Sequence, residues 1–297
     1  DLPYTAGHRN CMKLDCTRSS SNSGSNDTSY ITQRIEGFNC SHLDWGNSGA
    51  KTLTLSFYAK TDGSTGVMCL SAFASKSYVK EVTLSNSWQK FTVEIDGNTA
   101  DEIANSNANG LQLMFVLHSG SDHEISAGSW SAGFDCATSN QVNFGSSTSN
   151  NIYIAGVQLE VGDTATDFEH RNYTDELLRC QRYYFKVVNG GTTSEALGFT
   201  GVVWQENNGS IMSIRYPIKM RAAPSLEVTN GTEYWQHFSG NDLSAAYADG
   251  SGIVDNATRE FGGEIYANVS ANTGAVGRGV FIRGNNVASK WAYGAEL

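Results

Sequence analysis

Few residues of this chain stand at spacings that could do chemistry. There is no HExxH, no GxSxG, no GxxxxGKS/T and no GxGxxG after a strand, so the common signatures of zinc proteases, serine hydrolases and nucleotide-phosphate sites are missing. The six histidines, His8, His42, His118, His123, His170 and His237, show no zinc-ligand spacing. Ser121-Asp122-His123-Glu124 has the residue types of a catalytic triad, but neighbours in sequence point apart and cannot form the relay. A polar loop is the reading there. The chain has 30 Asp and Glu residues, so any glycosidase-like carboxylate pair could be proposed and none is favoured. No catalytic residue and no metal ligand is assigned, and no enzyme is expected.

The aromatic residues carry a better functional argument. Saccharides stack their C–H faces on Trp or Tyr, while Asn, Asp and Gln supply orienting hydrogen bonds. This chain has 6 Trp and 13 Tyr among many Asn-rich stretches. Trp88 falls in the opposite phase to Phe91, Val93 and Ile95, and Trp130 stands in a Gly/Ser stretch read as a loop. Trp235 and His237 share a face beside the segment from Ser239 to Asn256, also read as a loop, which contains Tyr247. Trp130, Trp235, His237 and Tyr247 are therefore the candidate ligand-binding residues, with Trp130 and Trp235 expected to be the least buried tryptophans. The competing reading for every Trp is core packing, and Trp291 is assigned to it.

The elements that must position these residues are strands. Leu53, Leu55, Phe57 and Ala59 alternate with polar residues on one face, and Phe91, Val93 and Ile95 do the same. Leu111 to Leu117 is apolar on both faces and is expected to be a central strand. Between Ile152 and Leu159 the apolar phase shifts at Ala155-Gly156, which a glycine-centred bulge would absorb. One short helix is expected after an N-cap at Thr174, with Asp175 and Glu176 at its positive end and Leu177, Cys180 and Tyr184 at helical spacing. Too short to persist alone, it is expected to dock on something. Beyond it Met212, Ile214, Tyr216, Ile218 and Met220 alternate, and Pro217 marks that strand as an edge or as bulged. Asn207-Asn208-Gly209 and Asn230-Gly231 are hairpin signals.

Composition agrees with an all-β chain. Charged residues are 17%, Gly numbers 31, and polarity rests on Ser, Thr and Asn rather than on helix formers. A formal charge of -10 disfavours nucleic acid and anionic lipid as partners. No run reaches the roughly 18 apolar residues of a spanning helix, so membrane insertion is not expected. Six cysteines without a C-x-x-C pair read as reduced, mostly buried thiols, with a Cys11–Cys16 bridge as the alternative. The opening Asp1-Leu2-Pro3 fits a mature product or the distal piece of a longer polypeptide equally well.

Two stretches resemble a known family. The first runs from Gly7-His8-Arg9-Asn10-Cys11 through Gln33-Arg34-Ile35-Glu36-Gly37 and His42-Leu43-Asp44-Trp45-Gly46 to Leu53-Thr54-Leu55-Ser56-Phe57. The second runs from Ile154-Ala155-Gly156-Val157-Gln158-Leu159-Glu160 through Phe168-Glu169-His170-Arg171 to Gln181-Arg182-Tyr183-Tyr184. Together they resemble a module of tail-fibre and tail structural proteins of marine and environmental tailed bacteriophages, a carbohydrate-binding-module-like jelly roll with a helix appended. The likeness is good up to about residue 187 and looser beyond, through Tyr216-Pro217-Ile218-Lys219-Met220 and Ala295-Glu296-Leu297; Asp167 stands where Pro commonly precedes Phe-Glu-His-Arg.

The resemblance implies a jelly-roll β-sandwich over 1–171, a linker with the short helix over 172–186, and a distal β-sandwich over 187–297 as the candidate receptor-binding tip. It implies a homotrimer that contacts other tail or virion proteins, is assembled in the host cytoplasm, and docks on a host surface glycan or protein receptor. The alternative is a purely structural head, neck or baseplate component that binds only virion proteins. No cofactor is expected. Calcium is the one candidate, through Asp15, Asp62, Asp96 and Asp163, although Ala155-Gly156 stands where such jelly rolls often carry an acidic ligand.

Overall fold

The computed structural model of the chain describes residues 6–20, 24–188, 190, 196–205, 209–231, 234–239, 242–248, 253–255, 257–268 and 275–296, with backbone alone at 196–199, 239 and 242–248. Strands dominate, and the chain divides into two compact units, one ending at His170 and the other running from Arg171 to Glu296.

The first unit is a sandwich of two antiparallel sheets. In chain order its strands are β1 (Met12–Asp15), β2 (Thr28–Glu36), β3 (Leu53–Asp62), β4 (Gly66–Ala74), β5 (Lys76–Leu84), β6 (Gln89–Ile95), β7 (Asn109–Ser119), β8 (Trp130–Ala132) and β9 (Asn151–Val161). One sheet has the order β1-β9-β3-β6 and the other β2-β7-β4-β5-β8. The alternation in β3 turns Leu53, Leu55, Phe57 and Ala59 into the core, where all four are buried. Phe57 has no exposed surface; it stacks on Phe91 at 5.3 Å within its own sheet and meets Phe115 of the facing sheet edge-on at 5.2 Å. β7 lies between β2 and β4 with both faces buried from Leu111 to Val116, as its doubly apolar sequence requires. Its outward residues Met114 and Val116 join Cys69, Val79, Cys136 and Ala137 in a second apolar cluster, so the segment after β7 covers that sheet.

The bulge expected in β9 is present. The register against β3 shifts between Ser56 and Tyr58, and Gly156 adopts φ 57° there. A Cβ at Gly156 would lie 2.4 Å from His8 Nε2, so glycine is required for both space and backbone conformation.

The second unit opens with α1 (Tyr173–Gln181), which starts two residues earlier than Thr174 would have set it. Asn172 is the N-cap, its side chain accepting from the Thr174 N–H. None of the helix residues is buried. Then follow β10 (Tyr184–Val188), β11 (Ala196–Gln205), β12 (Gly209–Arg215), β13 (Ser225–Val228), β14 (Trp235–Ser239), β15 (Asp242–Ala248), β16 (Ile253–Asp255), β17 (Gly262–Asn268), β18 (Gly279–Gly284) and β19 (Trp291–Gly294). They form a three-stranded sheet, β10-β19-β13, and a seven-stranded sheet, β15-β14-β18-β11-β12-β17-β16. Trp235 and Trp291 pack at 90° with centroids 5.4 Å apart inside the core, and both are fully buried.

Several expectations change here. The segment 172–186, expected as a linker with a short helix, contains that helix and then enters β10, which pairs with β19. Pro217 does not mark an edge: β12 stops at Arg215 and lies between β11 and β17 in the middle of its sheet. The proline, unable to donate to a ladder, falls past the strand end. Asn230-Gly231 joins β13 to β14, which belong to different sheets, so it is a crossover and not a hairpin. Asn207 and Asn208 lie outside the described residues, although β11 and β12 pair antiparallel on either side of them. The segment from Ser239 to Asn256 contains β15 and β16 rather than a long loop.

Replacing Phe57 by Ala should cost about 3–5 kcal/mol, since it opens a cavity between the two sheets. Gly156→Ala should cost about 1–3 kcal/mol through the left-handed backbone and the crowding of His8. Urea unfolding of each variant measures both; a cost below that of an ordinary surface substitution would contradict the assigned packing.

Candidate functional site

The residues singled out from the sequence mostly serve packing. Trp130 lies in β8 rather than a loop, half-buried, between Trp45 at 5.1 Å and Tyr78 at 5.2 Å, and its indole N–H donates to the Asp96 carbonyl at 2.9 Å. Trp235, expected to be among the least buried, has no exposed surface, and its indole N–H donates to the Thr229 carbonyl at 3.1 Å. The reason lies in strand phase. Both Trp235 and Phe238 can face a core, and the fold turns Trp235 and His237 inward and leaves Phe238 half-buried on the other face. His237 Nε2 stands 2.6 Å from Ser210 Oγ, and burial lowers its pKa. A Ser–His contact could serve as nucleophile and base elsewhere. Here the serine and the histidine are 0% and 1% exposed, so a substrate has no surface to reach. Tyr247 stands opposite Gln236 in β15, and its side chain lies outside the described residues.

The Ser121–Glu124 motif fastens loops. His123 bonds the Phe134 carbonyl at 2.9 Å and Asn26 at 2.7 Å, and Asp122 accepts from Ser25 at 2.7 Å. Among the described residues no three His, Cys, Asp or Glu side chains come together as a metal site. Asp15 pairs with Lys13, Asp62 with Lys60 and Tyr153, and Asp96 accepts from Tyr78.

The open site lies on the outward face of the β1-β9-β3-β6 sheet. The alternation that buries Phe57 points Ser56, Tyr58, Lys60 and Asp62 the other way. Register then sets Lys13, Tyr153 and Lys60 side by side across three strands, and Trp88, just ahead of β6, completes the row. The Trp88 and Tyr153 rings meet at 6.4 Å, inclined 66° to one another. Lys60 Nζ lies 4.6 Å over the Tyr153 ring and 3.1 Å from Asp62, and the Tyr153 hydroxyl donates to Asp62 at 2.8 Å. The tyrosine hydrogen bond, then Lys60, hold the Asp62 carboxyl below the usual carboxylate range. Both rings are half-buried and so keep part of their surface open. Two fixed aromatic rings flanked by an ammonium and a carboxylate can stack and orient a polyhydroxylated ring.

One row along, the same face carries a recess of about 320 Å³ lined by Ser56, Tyr58, Lys90, Gly156, Asp167 and the imidazoles of His8 and His170, among others. His8 is only 7% exposed, packed against Phe168 at 4.8 Å, Tyr58 at 5.3 Å and His170 at 5.9 Å. Burial first, then the neighbouring His170, holds it below the ordinary imidazole range. Of this face, the phase of Trp88 was visible in the sequence. Tyr153, Lys60 and Tyr58 were not singled out, although each falls on the polar phase of a well-alternating strand.

On the second unit, the outward face of the seven-stranded sheet carries an apolar row among polar residues such as Ser213, Glu264 and Arg283. Val202, Ile211, Tyr266 and Val254 stand side by side across four strands. Val202, Val254, Trp204 and Phe281 are exposed, and Phe281 stacks on Phe238 at 4.7 Å with Arg283 over the Phe238 ring at 4.6 Å.

No family model matches the chain, and no curated protein matches it. Among solved structures it is similar to a CBM4 protein at 22% identity and TM-score 0.26, over 44% of this chain; the match spans 60% of the length of that protein. It is also similar to the CBM22-1–CBM22-2 tandem domain of a Paenibacillus barcinonensis protein at 8% identity and TM-score 0.23, covering 97% of this chain and 98% of the other. A structure of deformed wing virus, a honeybee pathogen, aligns at 12% identity and TM-score 0.23 over 97% of this chain and 84% of its own. The sandwich architecture is accordingly read from strand order and register.

His8 gives a pH dependence with a definite sign. Its folded-state pKa is depressed, so neutral His8 stabilises the fold above the ordinary value of 6.5, and that contribution is lost as pH falls below it. The protection of residues 6–8 against hydrogen exchange, taken relative to the intrinsic rate at each pH, should fall between pH 7.5 and 5.5 in the native protein and stay flat in His8→Phe; an equal fall in both would remove His8 as the cause.

Proposed function

We propose that this chain is a receptor-binding tail-fibre protein of a tailed bacteriophage and attaches the virion to host surface glycans through the Trp88–Tyr153 face. The single observation that carries the glycan reading is the aromatic pair on an open sheet face, its Tyr153 held by Lys60 and Asp62. The phage assignment is supported by the two resembling sequence stretches. Six free cysteines agree with assembly in a reducing cytoplasm. A shallow aromatic platform makes a weak single site, and several copies on one particle would raise its effective strength by avidity.

The exposed apolar band on the second unit favours protein contact as a further part of this function. A monomer rarely leaves so continuous a row in water. Copies of this chain in a trimer are the first occupant expected, and other virion proteins the second. Should only the latter hold, the protein is a structural virion component.

Binding to a host-surface glycan array should be retained in the native protein and fall at least about tenfold in Trp88→Ala/Tyr153→Ala, the loss of two stacking rings. Full binding by the double variant, or tight binding to a virion subunit with none to glycans, would overturn the glycan reading. Sedimentation equilibrium at micromolar concentration should give a trimer that Val202→Ser/Phe281→Ser weakens; a monomer would contradict the assembly.

A further inference from the structure

Basic side chains are scarce in the first unit. Up to His170, acidic residues outnumber lysine and arginine two to one, and Lys90 is the last lysine or arginine before Arg171. Yet the recess beside the aromatic platform gathers Lys90, His8 and His170 from three distant parts of the chain, against one carboxylate, Asp167. The N-terminal segment brings His8 across the sheet, β6 supplies Lys90 opposite Tyr58, and the segment after β9 returns with Phe168 and His170. Such convergence runs against the charge of its surroundings.

His8 adds a second observation. It is more than nine-tenths buried, and among the described residues its Nε2 has no hydrogen-bond partner. A buried polar nitrogen left unpaired costs about 1–3 kcal/mol, so such groups ordinarily have a partner. Nε2 rests over Gly156, which also lines the recess, and the imidazole takes the space that a Cβ at that position would fill. An oxygen acceptor entering the recess would satisfy it once the imidazole turns off Gly156. The other polar groups on the wall are the Ser56 and Tyr58 side chains, which can hold the hydroxyls of a ring.

We propose that this recess receives the anionic substituent of an acidic sugar, a carboxylate or a phosphate, between His8, His170 and Lys90, with the sugar ring against Tyr58. The inference rests on the reading of this face as a glycan platform and narrows its ligand from saccharides in general to acidic ones. An N–H of His8 and the ammonium of Lys90 would form charge-assisted hydrogen bonds to the anion, while the rest of the glycan runs toward Trp88 and Tyr153. The groups that face the recess and can change charge are His8, His170, Lys90, Tyr58 and Asp167. A bound anion opposes the two causes that now depress His8, burial and His170, so its pKa should rise on binding.

The test is an NMR titration of the whole chain with glucose, glucuronate, glucose 6-phosphate and inorganic phosphate, following the Trp88 indole and the His8 and His170 imidazoles. The expected result is that glucuronate, glucose 6-phosphate or both shift the two imidazoles and raise the His8 pKa, and bind more tightly than glucose. The two anionic sugars separate a carboxylate from a phosphate receptor. Lys90→Gln should erase about tenfold of that preference, the loss of one charge-assisted hydrogen bond. Movement of the Trp88 indole with all sugars but unmoved imidazoles would overturn this inference and leave the platform reading standing. No response of either to any sugar would overturn both. A response to inorganic phosphate as large as to the sugars would also overturn it, because the ring on Tyr58 must add affinity.

Discussion

The pairing register of β3 between β6 and β9 is the constraint on which the candidate site depends. Side chains alternate with a period of two, so a slip of one residue would exchange Phe57 for Tyr58 and turn the core face outward. The register is held from within by Phe57, wedged between Phe91 of its own sheet and Phe115 of the other. It is corrected once, at Gly156, where β9 gains a residue relative to β3. Everything outward follows from that inner fit. Tyr153 meets Lys60, Tyr58 meets Lys90, and His8 finds room over a glycine.

The two sheets of this unit use their outer faces differently, and the difference separates an open face from a covered one. The sheet containing β7 is apolar on both sides, and the following segment covers it with Cys136 and Ala137. The sheet containing β3 puts Thr, Ser, Tyr, Lys and Asp outward. A row of half-buried aromatic rings with bonded charges keeps its geometry without being closed off. The proposed glycan reading uses that combination, with the charged groups of the row engaged with one another. The second unit follows another logic. Its buried Trp235, Trp291 and His237 build the core, and its outward face leaves Val202, Trp204, Val254 and Phe281 exposed.

How much of this was legible in the sequence depended on whether a pattern was one-sided. The alternation of Leu53 to Ala59, the doubly apolar run from Leu111 and the phase shift at Ala155-Gly156 each admitted one arrangement, and each formed. The strand at Trp235 was two-sided, with aromatics in both phases, so its inner face could not be read locally. Trp130 misled because a Ser- and Gly-rich setting can also be a short edge strand, and β8 pairs with β5. Pro217 suggested an edge or bulged strand running on to Met220, but the strand is central and stops at Arg215, before the residue that cannot join a ladder. The platform itself needed tertiary register: Lys60 comes from β3, Tyr153 from β9 and Trp88 from just before β6, and no local spacing links them. The recess needed still more, because His8 and His170 lie at opposite ends of the unit's sequence.

The most direct measurement is a crystal structure of the protein with a host-surface oligosaccharide bound. The account predicts electron density for a sugar ring stacked on Trp88 or Tyr153, with hydroxyls bonded to Lys60 or Asp62. A saccharide seated elsewhere on the chain, with this sheet face bare at saturating concentration, would contradict it.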